Sequence, residues 1–505
     1  MRCGPVNSRP RRQLATANVV RANFGRKGDR VRRFVTDENK KWWTLAAVSF
    51  GLFMIMLDNT VVNVALPAIQ RDLGVGLSEL EWIVAGYALT FAALMLIGGK
   101  LADAYGRRLL FVVGIAVFTL ASLGCGLATS GEMLIAARVA QGVGAALMTP
   151  ATLSIIAATF PPRQRGTAVG IWAGVSALAL AIGPLVGGLL TQHVGWNWIF
   201  FVNVPVGIVA ITASFLFIEE SRDPTHVRLD LPGLATSAIG LFALTYGLIE
   251  GNAYGWGSAR IVGAFAVAAV TLTAFVVLER RQRAPMLDLS LFRNRTYVGA
   301  NLVVLLVSLA MFGVFFFVSL YMQNVLGFSA VQAGAAFLPM TILIILVAPP
   351  AGRLSDRFGS RGLITIGMVL VALQLFYFSR LGTDATFWTL LPGLLLGGFG
   401  MAMTMTPSTA AATRAVPVEK AGVGSAVLSA FRQVGGSIGI ALMGALMAAQ
   451  LASPPTVESF MAGFEHALLV AGGIAVVGAI VAAVLIRPHD TTRQVDASPV
   501  AAEAL

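Results

Sequence analysis

Long apolar stretches separated by short polar segments make up most of the chain. A helix that crosses a hydrocarbon core roughly 30 Å thick needs about 20 mainly apolar residues. Fourteen stretches meet this requirement, and none shows the alternating pattern of an outer-membrane barrel strand. The pattern therefore predicts fourteen transmembrane helices, at residues 42–66, 80–99, 109–128, 133–158, 166–191, 197–218, 231–249, 261–278, 297–321, 330–351, 362–379, 386–411, 421–447 and 466–486.

Composition supports a membrane environment for the whole chain. Of the 505 residues, 57% are hydrophobic and only 12% are charged, and the mean hydropathy is +0.79. So few polar side chains cannot cover a surface that faces water on all sides. A soluble globular protein is therefore excluded, and the predicted fold class is an all-α integral membrane protein in contact with the lipid bilayer.

The distribution of the 36 Lys and Arg residues predicts the orientation. Cytoplasmic loops retain positive charge, and with a cytoplasmic N-terminus all but five of these residues fall in cytoplasmic segments. Arg71, Arg260 and Arg380 fall outside, and Arg138 and Arg432 fall within spans. One miscounted helix would reverse every later loop, so the even helix count has support independent of hydropathy. Both termini are expected in the cytoplasm, with residues 487–505 as the C-terminal tail.

The net charge of +12 is accordingly explained by topology, and no nucleic-acid partner is expected. Residues 1–41 form a basic arm without hydrophobic periodicity, which predicts disorder. Attraction to anionic lipid and a purely topological role both remain open for it, as does a start codon assigned too far upstream. Cys3 and Cys125 indicate neither a disulfide nor a metal site.

Internal repetition is the next strong signal. The decapeptide "GKLADAYGRR" after the second span recurs as "GRLSDRFGSR" after the tenth. This repetition predicts two related six-helix bundles, 42–218 and 297–486, joined by cytoplasmic loops and two inserted helices at 219–296. A site between two such bundles permits alternating access.

The repeated decapeptide is predicted to form a cytoplasmic gate. Its glycines allow a tight turn and close helix approach. Asp103 can pair with Arg107 or Arg108, or accept from a helix N-terminus, and such a clasp would close the cytoplasmic side. The residues of the two copies are Gly99, Asp103, Gly106, Arg107, Arg108, Gly352, Asp356, Gly359 and Arg361.

Several stretches together resemble the major facilitator superfamily, and within it the 14-helix drug:proton antiporters. Besides the decapeptide they are "LDNTVVNVALP", "RVAQGVGAALMTP", "GPLVGGLL", "WNWIFFVNVPVG" and "FRQVGGSIG", which places the resemblance over about residues 42–486. It implies a major facilitator fold with two pseudo-symmetric bundles plus two inserted helices, and proton-coupled efflux. Ala104 and Asn197 depart from the family pattern, which often has Arg at both positions.

The fifth span carries the stretch that resembles the antiporter motif. Its glycines have a spacing that lets helix backbones touch, and its proline bends the helix. Glycine and proline are also frequent in any membrane helix, so this pattern gains its meaning from the resemblance. The residues are Gly183, Pro184, Gly187 and Gly188.

Asp58 is the principal candidate for proton coupling. It lies in an otherwise uncharged run from Trp42 to Gln70, and a carboxylate at such depth is costly and often functional. Counted from the span ends, Asp58 and Arg138 lie at similar depth and could meet. We expect Asp58 to exchange a proton and Arg138 to tune its affinity. The alternative is that Asp58 only fixes helix packing through hydrogen bonds.

The substrate is expected to be lipophilic and neutral or monocationic, with one proton per cycle as the simplest coupling. "MFGVFFF", Met311 to Phe317, offers adaptable apolar surface, although such stripes more often lie in the core or against lipid. Acids deep in the spans are scarce, and Glu250 at the end of the seventh span is the other candidate besides Asp58. Asn63, Glu250, Arg432 and Gln433 are further candidates for substrate binding or coupling.

Other function classes have less support. The four histidines, His193, His226, His466 and His489, show no metal-ligand or catalytic spacing, and no phosphate-binding glycine loop is present. An enzyme, a cofactor and a resident metal are therefore not expected, and a monomer is assumed. A proton-coupled sugar or metabolite symporter on the same fold is the alternative.

Overall fold

The computed structural model describes residues 39–222, 230–282, 285, 287–417, 421–452 and 456–487. The predicted tails, 1–41 and 487–505, lie outside these residues except for 39–41 and 487. In chain order the helices are α1 Lys40–Leu73, α2 Leu77–Tyr105, α3 Arg107–Gly126, α4 Gly131–Thr159, α5 Pro162–His193, α6 in two pieces (Trp198–Phe201 and Asn203–Phe217), α7 Leu231–Tyr254, α8 Ala259–Arg281, α9 Arg295–Leu320, α10 in two pieces (Ala330–Ala336 and Leu338–Phe358), α11 Ser360–Phe378, α12 Phe387–Arg414, α13 Ala421–Ala448 and α14 Val457–Leu485.

These fourteen helices are long and apolar enough to cross a membrane, and each overlaps one predicted span. The largest difference is at α14, which begins at Val457 rather than at residue 466. Thr456 caps this helix by accepting from the backbone of Ser459 at 3.2 Å. The charged residues Glu458 and Glu465 are exposed, so they do not oppose helix formation although they lower the hydropathy of its first turns.

A proline follows each of the two helix interruptions. Proline lacks the amide hydrogen and suits the first turn of a helix, although unbroken membrane helices also tolerate it, as α5 does at Pro184. Pro205 lies in the first turn of the second piece of α6, and Pro339 has the same place in α10. The interruption at Val202 leaves Asn203 at the start of a helix inside the bundle, where it is buried.

The helices pack in two sets with a pair between them. In the first set α4 packs on α2 and α3, while α1 packs on α5 and α6. In the second set α12 packs on α10 and α11, while α9 packs on α13 and α14. Helices α7 and α8 pack on each other, and α7 also contacts α2 and α13. The inserted pair therefore covers the seam between α2 and α13.

Both copies of the repeated decapeptide form the same turn between two helices. Gly106 between α2 and α3 has φ of 127°, and Gly359 between α10 and α11 has φ of 85°. Side chains other than glycine are strained at these angles, which explains why glycine recurs. We call the end of the bundle with these two turns the motif end, and the opposite end the far end.

Hydrogen bonds between the two sets lie in the half of the molecule near the far end. Gln323 donates to the Val64 carbonyl at 2.9 Å, and the Val331 amide donates to Gln192 at 3.1 Å. Ser437 donates to the Ala85 carbonyl at 3.5 Å. These bonds join α1 to α9, α5 to α10 and α2 to α13.

Near the motif end, α5 is exposed on most of its faces. Within Val169–Gly174 every residue is exposed except Trp172, which is half-buried. Six consecutive residues cover more than a full helical turn, so both the lipid-facing side and the inner side of α5 lack neighbours here. In the described part of the chain, α5 and α10 are thus in contact near the far end, whereas α5 lacks close neighbours near the motif end.

Candidate functional site

Asp58 lies at the centre of a buried polar cluster between four helices. Its side chain is fully buried in α1 and accepts from Arg138 of α4 at 2.5 Å. Gln141, one turn further along α4, donates to the other carboxylate oxygen at 2.9 Å. Asn203 of α6 donates to that same oxygen at 3.4 Å. Every donor on Asp58 suits the ionised carboxylate, which accepts only.

Arg138 is held by more than its acidic partner. Its guanidinium, 1% exposed, donates to Gln141 at 2.7 Å and to the backbone carbonyl of Ile83 in α2 at 3.0 Å. It also lies 4.3 Å from the ring centroid of Tyr87, a favourable cation–π distance. Loss of the Asp58 charge would therefore leave Arg138 bonded to α2 and to its own helix.

Neutral side chains surround this ion pair on α3 and α4. Gln141 also donates to Ser122 at 2.8 Å, and the Cys125 thiol donates to the Gln141 oxygen at 3.7 Å. Ser122 and Cys125 are fully buried. A buried ion pair needs such additional bonds to offset its desolvation, and here the cluster supplies them from α3, α4 and α6.

Sequence reasoning placed Asp58 and Arg138 at similar depth, and the structure brings them into contact. It missed Gln141, Asn203 and Ser122. Gln141 and Asn203 stand in "RVAQGVGAALMTP" and "FVNVPVG", stretches that carry the family resemblance. Amide side chains inside apolar spans were the available signal, because a buried amide requires a partner.

The other candidates for coupling or substrate binding do not join this cluster. Asn63 donates to the Asn59 carbonyl one turn earlier in α1. Glu250, near the far end of α7, accepts from the Trp82 indole at 3.1 Å. Gln433 is buried in α13 with its amide nitrogen unpaired among the described residues. Arg432 is partly buried beside it, with no acidic partner in the described part of the chain.

The gate carboxylates pair within their own halves. Asp103 accepts from Arg107 at 2.9 Å, one of the two partners that the sequence suggested. Arg108 instead lies 3.9 Å from Glu220, whose carboxylate accepts from the first backbone amides of α3. Asp103 thus ties the end of α2 to the start of α3.

The second gate copy uses a residue from another helix. Asp356 accepts from Arg414, at the end of α12, at 2.7 Å. Arg414 also donates to Ser360 at 2.8 Å, which ties α12 to the turn. Arg361 is exposed, and Arg357 packs over the ring of Phe358 at 5.2 Å. Both copies thus use the aspartate of the motif, but Asp356 pairs with an arginine from outside the motif.

The glycines of α5 contact two helices from different halves. A Cβ on Gly187 would lie 2.7 Å from the Val61 carbonyl of α1, and one on Gly188 would collide with the Ala330 carbonyl of α10. Gly183 is packed as closely on Thr60, and Gly334 of α10 on the Pro184 carbonyl. The close helix approach predicted from glycine spacing is present, and α5 is the element that joins α1 to α10.

The aromatic stretch of α9 belongs to the core. Met311, Phe316 and Phe317 are fully buried, and Gly313 is covered by Met443 of α13. At these positions the burial agrees with the alternative interpretation, in which the stretch packs in the core.

An apolar cavity of about 220 Å³ lies where the inserted helices meet both sets. Helices α2, α7, α8, α9 and α13 all contribute to its wall. Representative lining residues are Leu96, Leu241, Phe275, Leu305 and Phe431. Its size and its lining suit an apolar group. Among the described residues, no group of three or more His, Cys, Asp or Glu side chains could hold a metal ion.

A family model and several known proteins match this chain over most of its length. The family model of the Major Facilitator Superfamily matches residues 48–440 and 302–503. The tetracenomycin C resistance and export protein of Streptomyces glaucescens is 38% identical over 82% of this chain and 77% of its own length. The multidrug resistance protein Stp of Mycobacterium tuberculosis H37Rv is 39% identical, over 81% and 76%. The puromycin resistance protein pur8 of Streptomyces alboniger is 38% identical, over 88% and 92%.

Proposed function

The chain belongs to the major facilitator superfamily, and we propose that it exports hydrophobic drugs or natural products across the cytoplasmic membrane in exchange for protons. The names of its relatives, which include resistance to tetracenomycin C and puromycin and multidrug resistance, support drug efflux. The observation that carries proton coupling is the fully buried Asp58 on Arg138. Membrane-buried acids of this kind typically serve proton transfer.

We assign the motif end to the cytoplasm. The loops at this end contain most of the Lys and Arg residues, in agreement with the positive-inside rule. With this assignment, the structure is closed to the outside through α5–α10 and parted toward the cytoplasm. That is the arrangement in which an exporter takes up its substrate.

The coupling follows from the bonds of Asp58. All its partners among the described residues donate, and such bonds stabilise the charged form of the carboxylate, which suits the loading state. A proton that arrives from the outside would neutralise Asp58 and weaken its bonds to α4 and α6. Substrate release accompanies protonation, and return of the proton to the cytoplasm restores the pair with Arg138.

The substrate class follows from the apolar lining. The cavity beside α7 and α8 has an almost wholly apolar wall, which favours the lipophilic part of a compound at this place. Membrane lipid is the expected surrounding of the fourteen helices. The transported molecule and protons are the partners that this function requires.

The test is dye accumulation in energised inverted vesicles. We expect accumulation that a protonophore abolishes, and its loss in Asp58→Asn although the variant reaches the membrane in normal amount. Asp384→Asn, which changes an exposed acid near the far end, is the matched control and should transport normally. Efflux equal to the wild type in Asp58→Asn would contradict the assignment of the coupling residue.

A further inference from the structure

Glu81 is a second carboxyl group buried near the far end, and the proposed mechanism does not use it. It lies in the second turn of α2 and is 2% exposed. It has neither an ion-pair partner nor a hydrogen-bond partner among the described residues. Sequence analysis did not name it, although Glu81 lies within the predicted second span at residues 80–99. The expectation that Glu250 was the only other deep acid is therefore wrong.

Three helices meet at Glu81. The backbone of Gly444 in α13 lies directly against its carboxyl group, so that a Cβ at this position would overlap the carboxylate. One turn along α2, Ala85 forms a small buried cluster with Ile249 of α7 and Ala441 of α13. The carboxyl group therefore lies in the contact between α2 and α13 that seals the far end.

The charged groups around this contact provide no counter-charge. Glu250 of α7 is near enough to interact electrostatically with Glu81, and it is held by the Trp82 indole. On α4, Arg138 is directed to Asp58. On α8, Arg260 stacks on the ring of Tyr254 at 4.0 Å.

Other charges lie further away or in solvent. Glu79 of α2 is exposed and accepts from the Gly76 amide, and Glu132 at the start of α4 is exposed. Arg432 of α13 lies three turns from Gly444 toward the motif end. Among the described residues, an ionised Glu81 would thus face a neighbouring carboxyl group and no cation in a buried site. A buried charge in such a place is costly, whereas a protonated carboxyl group is tolerated.

We propose that Glu81 is a second proton-binding group of the transport cycle, protonated while α2 and α13 are closed at the far end and releasing its proton when they separate. The carboxyl group is covered by α13 only in the closed arrangement, so opening exposes it to outside water and permits ionisation. The ionised carboxylate then opposes closure until it is protonated again. This inference extends the proposed proton-coupled export, and it raises the expected coupling above one proton per cycle.

A backbone contact connects this group to the Asp58 cluster. Arg138 donates to the carbonyl of Ile83, two residues after Glu81, and the Ala85 carbonyl accepts from Ser437 of α13. A movement of Arg138 on protonation of Asp58 would therefore act on the segment of α2 that contacts α13. Arg138, the partner of Asp58, is thus bonded to the same segment of α2 that carries Glu81.

The test measures exposure of the far-end contact directly. A cysteine replaces the buried Ala441 in a chain that lacks Cys3 and Cys125, and a membrane-impermeant maleimide is added from the outside. Labelling is measured from about pH 5 to about pH 9, a range in which deeply buried carboxyl groups titrate, and is normalised to Thr383→Cys on an exposed loop. We expect labelling to rise several-fold with pH when Glu81 is present. Glu81→Gln, which keeps the shape of the protonated form, should remain protected throughout.

Three comparisons make the result decisive. Glu132→Gln, the exposed control, should keep the rise. The same rise in Glu81→Gln as in the parent chain would overturn the proposal. Gly444→Ala, which places a methyl group against the carboxyl, should increase labelling at low pH, and protection equal to the parent would also count against it. Labelling requires no substrate, so a failure of Asp58→Asn to stop efflux would reject the proposed coupling residue without affecting this outcome.

Discussion

Replacement of Arg138 by Met should strongly destabilise the protein, because it leaves the Asp58 carboxylate buried without a cation. The side chain lost is 1% exposed and donates to Asp58, Gln141 and the Ile83 carbonyl. Removal of one partner from a buried ion pair costs about 3–5 kcal/mol. Gln141 and Asn203 would still donate to Asp58, but neither supplies a positive charge.

The double variant Asp58→Asn/Arg138→Met should recover part of this loss. It buries no charge, and a neutral pair in place of a buried ion pair is often tolerated. Contacting residues in one network show interaction energies of up to about 3 kcal/mol. We therefore expect the double variant to lose about 2–3 kcal/mol less than the sum of the two single variants.

The measurement is the free energy of unfolding in mixed micelles for the four proteins of this cycle. The half-buried pair Asp103–Arg107, with side chains 44% and 20% exposed, is the more exposed control. Its disruption by Arg107→Met should cost no more than about 1 kcal/mol. If Arg138→Met cost as little as Arg107→Met, or if the cycle at Asp58 were additive, the argument that burial makes this pair strong would be refuted.

Two further variants test the contacts around the site. Gly187→Ala places a methyl group 2.7 Å from the Val61 carbonyl, so it should impair dye efflux while membrane insertion stays normal. Gly170→Ala on the same helix meets no atom within 4 Å and should transport like the wild type, and equal activity of both variants would contradict the contact argument. Gln141→Leu removes a donor to Asp58 and an acceptor for Arg138, so it should lower the unfolding free energy by about 1–3 kcal/mol. An unchanged unfolding free energy would show that Gln141 does not support the ion pair.

Hydropathy was sufficient to predict the helices because the bilayer makes a simple demand on sequence. Each span must be long and apolar, and its backbone must satisfy its own hydrogen bonds. Charged first turns shift only the ends, as at α14, where Glu458 and Glu465 precede the predicted start. Gly106 and Gly359 could also be recognised from the sequence. A positive φ favours glycine at one position of the chain, whatever the tertiary structure around it.

The partners of charged residues were less predictable. Asp103 pairs four residues along its own chain, a distance that sequence spacing reveals. Asp356, in the same motif, pairs with Arg414 at the end of another helix. Equivalent local sequences thus form different ion pairs, because the arginine in reach depends on how α12 approaches the turn.

Sequence alone determined the membrane environment, the fourteen helices, the repeated turns, and Asp58 as an acid that a span must bury. Each of these depends on local composition or on the cost of one charged residue in lipid. Tertiary structure decided which helices meet, and therefore that Gln141 and Asn203 support Asp58 and that Gly444 covers Glu81. In lipid, helices associate by shape and by scattered polar contacts rather than by burial of apolar surface. Such contacts join residues more than eighty positions apart, and no local pattern in the sequence records them.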